Sequence, residues 1–320
     1  MSTQPEIRSR KTEPALVYGP VPSRRLGLSL GINLLTPKTC TFNCVYCQCG
    51  RTTCLTAFRK SFFPVEKIIT AVNSALMKSK VDYLTLSGSG EPTLNRDIGK
   101  LISILKKRFQ IPVAVITNSS LISSPVVREA LYQADLVIPT LACADEKTFR
   151  RVHRPHPKIR LKNIIRGLKT FRHRYHGSLW LEVMLVKDFN DHPEHLFRLR
   201  RIVHHIQPDR VHLNTVVRPP AEPSALPVPY DHLLQLQMLF GPQTDIIPSS
   251  LRKHQQQFRG NPKQAILAVV ANRPVTGTDL AQALGLPAET VAQTLEHLTT
   301  EGAVRKFKFK GKTFFTIHRE

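Results

Sequence analysis

Short runs of aliphatic residues alternate along the first two-thirds of the chain with longer segments whose apolar residues recur at helical spacing. The short runs predict strands at 28–35, 83–87, 113–117, 136–141, 179–186 and 211–217, and the longer segments predict helices at 65–78, 96–109, 125–133, 157–175 and 193–205. Such alternation is typical of a parallel sheet with right-handed crossovers. Because a closed barrel of this kind needs about eight units, the sequence predicts an α/β fold built as an open, partial (β/α)6 barrel.

The hydrophobic pattern also divides the chain. Residues 1–14 are a polar leader, 15–220 carry the predicted barrel, and 221–260 read as a proline-rich and helical connector at its open side. Residues 261–320 predict three short helices and a β-hairpin, which resembles a winged-helix domain. The third of these helices carries Glu289 and Glu296 and no Lys or Arg, a composition that disfavours sequence-specific DNA readout and leaves protein or RNA docking as alternatives.

Composition narrows the class of protein. The 320 residues are 41% hydrophobic, without an apolar run long enough to span a bilayer and without a signal-peptide segment at the N-terminus. We therefore expect a cytoplasmic protein with no membrane partner. In that compartment clustered cysteines indicate metal binding rather than disulfides.

The net charge of +23 is concentrated in the predicted barrel. Residues 147–176 contain eleven Lys or Arg, four His and no acidic residue, whereas residues 261–320 carry a net charge of only +3. A field of that sign favours a polyanionic partner such as RNA or tRNA. The alternative is a solvated helix face, since Ile164, Ile165, Leu168 and Phe171 recur at helical spacing and turn the basic residues outward.

Three cysteines in the spacing CxxxCxxC are the strongest chemical signal. Cys40, Cys44 and Cys47 can face one point only if the backbone loops around it, and soft thiolates select zinc or an iron–sulfur cluster. A structural zinc site normally takes a fourth protein ligand. A cubane cluster on three cysteines instead leaves one iron open for a small molecule, over whose adenine Tyr46 is placed to pack. Three further cysteines mark either a second cluster or ordinary free thiols, namely Cys49, Cys54 and Cys143.

The other unusual residues fall where predicted strands end. Gly88, Gly90 and Glu91 follow the second strand, and Thr117, Asn118 and Ser119 end the third. In parallel α/β folds the active site lies at the carboxyl ends of the strands, although polar residues there also serve as capping turns. Glu182, in the fifth strand, needs a partner if it faces inward, because an unpaired buried carboxylate is costly.

Together these motifs resemble the radical S-adenosylmethionine (radical SAM) superfamily. Its cluster loop is CxxxCxxC with an aromatic residue before the last cysteine, and Gly88 to Glu91 resembles its GGE motif. The resemblance implies a (β/α)6 core, a 4Fe–4S cluster and S-adenosylmethionine (SAM) as cofactors, and a reductant such as flavodoxin or ferredoxin. It implies that the metal ligands are Cys40, Cys44 and Cys47, and that the SAM-binding residues are Tyr46, Gly88, Gly90, Glu91, Thr117, Asn118 and Ser119.

Further segments resemble a branch of iron–sulfur oxidoreductases catalogued beside the radical SAM enzyme of tRNA wyosine synthesis. They lie at 18–25, 30–33, 47–50, 87–94 and 154–156. No cysteine precedes Cys40, although the wyosine enzymes carry a second cluster upstream. The fourth strand ends in Thr140-Leu-Ala-Cys143 instead of the usual Ser-Leu-Asp-Ala, which points to a different substrate.

The sequence therefore predicts a radical SAM oxidoreductase that cleaves SAM to a 5′-deoxyadenosyl radical. RNA or tRNA is the first substrate candidate, from charge and branch, and a protein or peptide is the second. An iron–sulfur redox sensor that regulates transcription is the alternative of another class.

Overall fold

A computed structural model describes residues 15–77, 80–248, 261–271 and 273–317. The predicted leader 1–14 and the connector segment 249–260 lie outside the described residues. The elements of the larger part are, in chain order, β1 (Val17–Pro22), β2 (Leu28–Ile32), β3 (Thr39–Cys40), β4 (Cys54–Leu55), α1 (Val65–Leu76), β5 (Tyr83–Leu86), α2 (Ile98–Phe109), β6 (Val113–Thr117), α3 (Pro125–Leu131), β7 (Leu136–Pro139), α4 (Glu146–His153), α5 (Leu161–Arg174), β8 (Ser178–Leu185), α6 (Pro193–Ile206), β9 (Arg210–Thr215), α7 (Tyr230–Phe240) and β10 (Thr244–Ile246).

One sheet organises this part of the molecule, in the order β1-β2-β5-β6-β7-β8-β9-β10. All neighbours from β2 to β10 are parallel, and β1 runs antiparallel to β2 at the edge. The six predicted strands are β2 and β5–β9, each followed by helix, so the predicted α/β fold with a (β/α)6 barrel is confirmed. The sheet stays open between β1 and β10, yet residues of β2, β5, β8 and β9 line one cavity inside it.

Burial explains why these segments adopt these structures. In β6, Val113, Ala114 and Val115 are all fully buried, as expected for a strand covered on both faces. In α2, Leu101 and Leu105 recur at helical spacing and are fully buried against the sheet. Each such side chain contributes about 2 kcal/mol through removal of apolar surface from water.

Five elements of this part were not predicted, and two of them are the two-residue strands β3 and β4. β1 contains Gly19 and Pro20, and proline is tolerated there because β1 is an edge strand. β10 has only three residues. The short helix α4 lies inside the basic stretch, where Asp145 caps it by accepting from the Thr148 N–H at 2.8 Å.

The C-terminal residues form a second, smaller cluster of elements: α8 (Pro262–Val270), β11 (Val275–Thr276), α9 (Gly277–Leu284), α10 (Ala288–Thr300), β12 (Val304–Phe309) and β13 (Lys312–Ile317). The strands form an antiparallel sheet in the order β11-β13-β12. These are the helices and hairpin that the sequence predicts, and the winged-helix assignment stays a prediction. Val21 of β1 packs into the core of this cluster, which joins it to the barrel. In the part of the chain that the structure describes, no helix is long and apolar enough to cross a membrane.

Candidate cluster loop and barrel cavity

The three cysteines lie on one loop at the carboxyl edge of the sheet, which we call the cysteine loop (residues 38–50). It follows β2, and the helix α4 holds its middle in place. The Asn43 N–H donates to the His153 carbonyl at 3.0 Å, and the Val45 N–H donates to the Val152 carbonyl at 3.0 Å. The thiols of Cys40 and Cys47 lie near enough to Cys44 for their charges to raise its pKa.

Each thiol has its own nitrogen-bearing neighbour. The Asn118 amide donates to Cys40 Sγ at 3.5 Å, and the Lys38 ammonium donates to Cys47 Sγ at 3.6 Å. His153 Nδ1 lies 3.3 Å from Cys44 Sγ, with the donor set by the imidazole tautomer. Hydrogen bonds to ligand sulfurs orient the ligands and tune a bound cluster.

Two of these neighbours escaped the sequence analysis. Lys38 is the first residue of the cysteine loop. It is almost completely buried, which is unusual for a lysine. His153 lies far along the chain, on the unpredicted helix α4, and its ring packs against the rings of Phe42 and Phe149. Burial lowers the pKa of His153 to about 3, so its imidazole is neutral at physiological pH. Only the fold brings it to Cys44.

The thiols differ in their readiness to ionise. Burial, together with the nearby Glu91 carboxylate, raises the pKa of Cys40 to about 12, and burial raises the pKa of Cys44 well above its ordinary value. Contact with the Cys49 thiol overcomes burial and, with Lys38, lowers the pKa of Cys47 to about 6. A metal that takes thiolate ligands therefore displaces protons from Cys40 and Cys44 when it binds.

The donor set fits a 4Fe–4S cluster. Three soft sulfur ligands are grouped on one loop, and each has a neighbour able to stabilise a thiolate. Among the described residues, no three His, Cys, Asp or Glu side chains converge closely enough to hold a single metal ion. The thiols of a cubane cluster bind separate irons, so they have no need to converge in that way.

Glu91 and the residues predicted to bind SAM form a hydrogen-bonded network behind the cysteine loop. Glu91 is almost fully buried, and its Oε1 accepts from the Thr93 N–H at 3.0 Å, the Thr93 hydroxyl at 2.6 Å and the Thr117 hydroxyl at 2.6 Å. Its Oε2 accepts from the Asn118 N–H at 2.7 Å. Ser119 turns with a positive φ of 67° and donates to the Thr140 carbonyl at 2.9 Å. The Glu91 carboxylate thus fixes the loop after β5 to the end of β6, and its predicted contact with SAM stays a prediction.

The two glycines of this loop are required by space. A Cβ on Gly90 would lie 2.0 Å from the Thr39 carbonyl oxygen of the cysteine loop, and a Cβ on Gly88 would lie 1.9 Å from Asn33 Oδ1. Gly88 also has a φ of 149°, which other residues rarely adopt. The glycines let the loop after β5 approach the cysteine loop closely.

A cavity of about 310 Å³ opens inside the curved sheet below the cysteine loop. Tyr46, Cys47 and Gly88 line its upper end, so the structure brings three of the predicted site residues to one space. The remaining predicted SAM-binding residues, Gly90, Glu91, Thr117, Asn118 and Ser119, lie outside this lining and belong to the network behind the loop. The lining also contains four arginines that the sequence analysis did not assign to a site: Arg24, Arg25, Arg218 and Arg273.

Glu182 faces the cavity and has the partner that its burial requires. Arg25 Nη1 lies 2.5 Å from Glu182 Oε2, and the Asn214 amide donates to the same oxygen at 3.3 Å. Burial alone would raise the pKa of the Glu182 carboxyl, but Arg25 holds it below its ordinary value. This ion pair links the turn between β1 and β2 to β8 across the cavity.

We expect Glu182→Ala to lower the free energy of unfolding by about 3 kcal/mol, because Arg25 would stay charged, buried and unpaired. Urea unfolding of the purified protein measures this loss of stability. The double mutant Arg25→Ala, Glu182→Ala separates the energy of the ion pair from the penalty of leaving Arg25 buried and unpaired. Asp245→Ala is the matched control, since its pair with Arg210 at 2.9 Å is half exposed and should contribute less than about 1 kcal/mol. Equal losses for the two carboxylates would contradict a special role for the buried pair.

Comparison with known proteins agrees with this geometry. The sequence profile of the Radical SAM superfamily matches residues 34–200. The chain is 34% identical over 310 residues to the UPF0026 protein MJ1312 of Methanocaldococcus jannaschii, covering 94% of this chain and 95% of that protein. It is 35% identical over 306 residues to a Brachyspira hyodysenteriae protein named GTPase Obg, of whose length it spans 45%. The present sequence contains no GxxxxGK[ST] nucleotide-binding motif.

Among solved structures, a radical SAM methyltransferase from Sphaerobacter thermophilus superposes with a TM-score of 0.52 at 14% identity, covering 68% of this chain and 65% of that one. At that identity the likeness shows a shared fold. The sheet described above therefore has the same fold as this methyltransferase. The match of the present sequence to the Radical SAM profile is independent of that structural comparison.

Proposed function

The chain belongs to the radical SAM superfamily, and on that premise we propose that it is an oxidoreductase whose substrate reacts in the cavity below Cys47. Its cofactors are a 4Fe–4S cluster and SAM, which when bound supply a 5′-deoxyadenosyl radical, by one-electron cleavage of SAM, to take a hydrogen atom from the substrate. The observation that carries the proposal is that Tyr46 and Cys47 of the cysteine loop line the cavity inside the sheet.

The residues of this chain divide the work. Cys40, Cys44 and Cys47 would hold the cluster, and Asn118, His153 and Lys38 would orient and stabilise the three thiolates. Arg24 helps to close the open side of the barrel, because its Nη1 donates to Asn214 Oδ1 at 3.3 Å and to the Pro248 carbonyl at 3.3 Å. Closure of this side would keep water away from a reactive intermediate.

Reductive cleavage of SAM tests this function. With dithionite and no substrate, the anaerobically reconstituted protein should release 5′-deoxyadenosine and methionine, and Cys44→Ala should release neither. A redox-sensing regulator, the competing function, needs the cluster but leaves SAM intact. A correctly loaded cluster that never cleaves SAM would therefore favour the sensor.

RNA is the first substrate candidate within this function. Several basic residues of the stretch 147–176 are already paired, since Arg150, Arg154 and Arg172 contact Glu146, Glu222 and Asp209 at 2.7–3.1 Å. Arg160 and Arg166 are exposed, at the start and on the outer face of α5. Because α5 follows β7, its start lies near the carboxyl edge that carries the cysteine loop. These two arginines support an RNA path toward the cavity.

We expect the affinity for bulk tRNA to fall steeply with salt, because phosphate contacts release condensed counterions. Replacing Arg160 and Arg166 with Glu should weaken binding by about tenfold or more, as two phosphate contacts become repulsive. Gel shifts at two salt concentrations measure this. The matched control reverses Arg200 and Arg201, which are equally exposed on α6, so the net charge changes identically. If both double reversals bind alike, RNA loses its support and a peptide or small molecule becomes the better candidate.

A further inference from the structure

The cavity holds more positive charge than its own acids neutralise. Four arginines line it, and Glu182 is the one Asp or Glu among its described lining residues. Since Arg25 pairs with Glu182 at 2.5 Å, three guanidiniums have no carboxylate partner among the lining residues, namely Arg24, Arg218 and Arg273. The Asp279 carboxylate, outside the lining, offsets part of the charge of Arg24 and Arg218.

Arg218 is the most enclosed of these. It is 6% exposed and follows β9 at the carboxyl edge, and its Nη1 donates to Gln48 Oε1 of the cysteine loop at 3.3 Å. Its Nε is buried and has no hydrogen-bond partner within residues 15–77, 80–248, 261–271 and 273–317. A guanidinium offers five N–H donors in a fixed plane, so much of its hydrogen-bonding capacity is unused here.

The three arginines come from distant parts of the chain. Arg24 lies in the turn between β1 and β2, Arg218 follows β9, and Arg273 precedes β11 in the C-terminal cluster of elements. Burial and mutual repulsion destabilise their charges: burial and Arg25 lower the pKa of Arg24 to about 10, and burial and Arg273 lower the pKa of Arg218 well below its ordinary value. With a pKa of about 10, Arg24 remains charged at neutral pH. An anion between them would offset the repulsion and fill the unused donors.

We propose that Arg24, Arg218 and Arg273 form a subsite for a phosphate group of the substrate. Three unpaired guanidiniums match the charge and the oxygen geometry of a phosphate better than those of a single carboxylate. This proposal rests on the proposed function, and it specifies a phosphorylated substrate. A phosphate bound by these arginines would direct the group attached to it toward Tyr46 and Cys47. The phosphate belongs either to a small phosphorylated molecule or to a nucleotide of an RNA strand.

Arg273 gives the subsite a link to the C-terminal cluster of elements. α8 and α9 contact β1, and Val21 of β1 lies in their core, so this part of the chain supplies one wall of the cavity. The positive charges that bind the phosphate would therefore come both from the barrel and from the C-terminal elements.

Equilibrium dialysis with radiolabelled inorganic phosphate tests the subsite in the full-length, reconstituted protein at constant ionic strength. The wild type should bind phosphate saturably, and Arg218→Met should bind it about tenfold to a hundredfold more weakly, because a charge-assisted hydrogen-bond donor is lost. Arg24→Gln is the second variant and should also weaken binding. Arg200→Met, exposed on α6 and outside both proposed binding surfaces, is the matched control and should bind like the wild type. Absence of saturable binding, or equal binding by Arg218→Met and the control, would overturn the proposal.

Competition distinguishes the sources of the phosphate. Displacement by a 5′-mononucleotide supports a small substrate, and displacement by a 5′-phosphorylated oligoribonucleotide alone supports an RNA strand. Displacement by SAM would show that the arginines bind its carboxylate, which would overturn the substrate assignment. These measurements use no reductant and the SAM cleavage assay uses no phosphate, so failure of the subsite and failure of the proposed function give different results.

Discussion

Cys44→Ala should lose the iron–sulfur cluster almost completely, from about four irons per chain to nearly none after anaerobic reconstitution. The substitution removes the middle of three thiolates, and the neutral imidazole of His153 beside it has no negative charge to replace the sulfur. Iron and sulfide content, together with the visible absorption of the reconstituted protein, measure the loss.

Cys54→Ala is the matched control for the cysteine variant. Cys54 is exposed on the short strand β4, outside the cysteine loop, and should be dispensable for iron binding. Stoichiometric zinc without iron uptake in the wild type would contradict the account. So would a full cluster in Cys44→Ala, because Cys40 and Cys47 would then need another partner, with Cys49 the nearest candidate.

Glu91→Ala should have the second largest effect, lowering the free energy of unfolding by about 3 to 5 kcal/mol, because buried donors on Thr93, Thr117 and Asn118 would lose their acceptor. SAM affinity should fall as well, since the loop that carries Gly88 would lose its attachment to β6. Urea unfolding measures the first effect and equilibrium binding of SAM to the loaded protein measures the second.

Glu91→Gln separates charge from shape in the same network. Glutamine keeps the length of the side chain, but its NH2 group would face the hydrogen-bond donors of the network. Glu91→Gln should therefore lower the free energy of unfolding about half as much as Glu91→Ala. Thr70→Ala is a surface control, because its hydroxyl only donates to the Glu66 carbonyl within α1 at 2.9 Å. Wild-type stability and wild-type SAM affinity in Glu91→Ala would contradict the role of the network.

The sequence predicted those parts of the fold in which local pattern and burial agree. The strand at 113–117 has the predicted bounds because every residue in it is apolar or β-branched and the sheet covers both faces. The helix predicted from 157 begins instead at Leu161, since the His156 N–H donates to the Thr41 carbonyl and holds the preceding residues against the cysteine loop. A tertiary contact of this kind leaves no local signal.

The residues of the candidate site likewise fall into those that a local sequence pattern identifies and those that it does not. The cysteines and the glycines lie in short motifs, so their spacing identifies them. His153 lies 109 residues after Cys44, and the cavity arginines come from both ends of the sheet and from the C-terminal elements, so only the folded sheet brings these residues to the site. The contact between Arg24 and Asn214 likewise depends on the curvature of the sheet, because the two residues are 190 positions apart in the chain.

The central claim is that three cysteines hold a cluster whose fourth iron is open to SAM. Electron paramagnetic resonance of the dithionite-reduced protein, recorded with and without SAM, tests it most directly, with Cys49→Ala beside the wild type. The account predicts that SAM shifts the g-values of the reduced cluster in both proteins, because SAM ligates an iron that no residue occupies. A wild-type spectrum unchanged by SAM, with a shift only in Cys49→Ala, would contradict the account, because Cys49 would then be the fourth ligand.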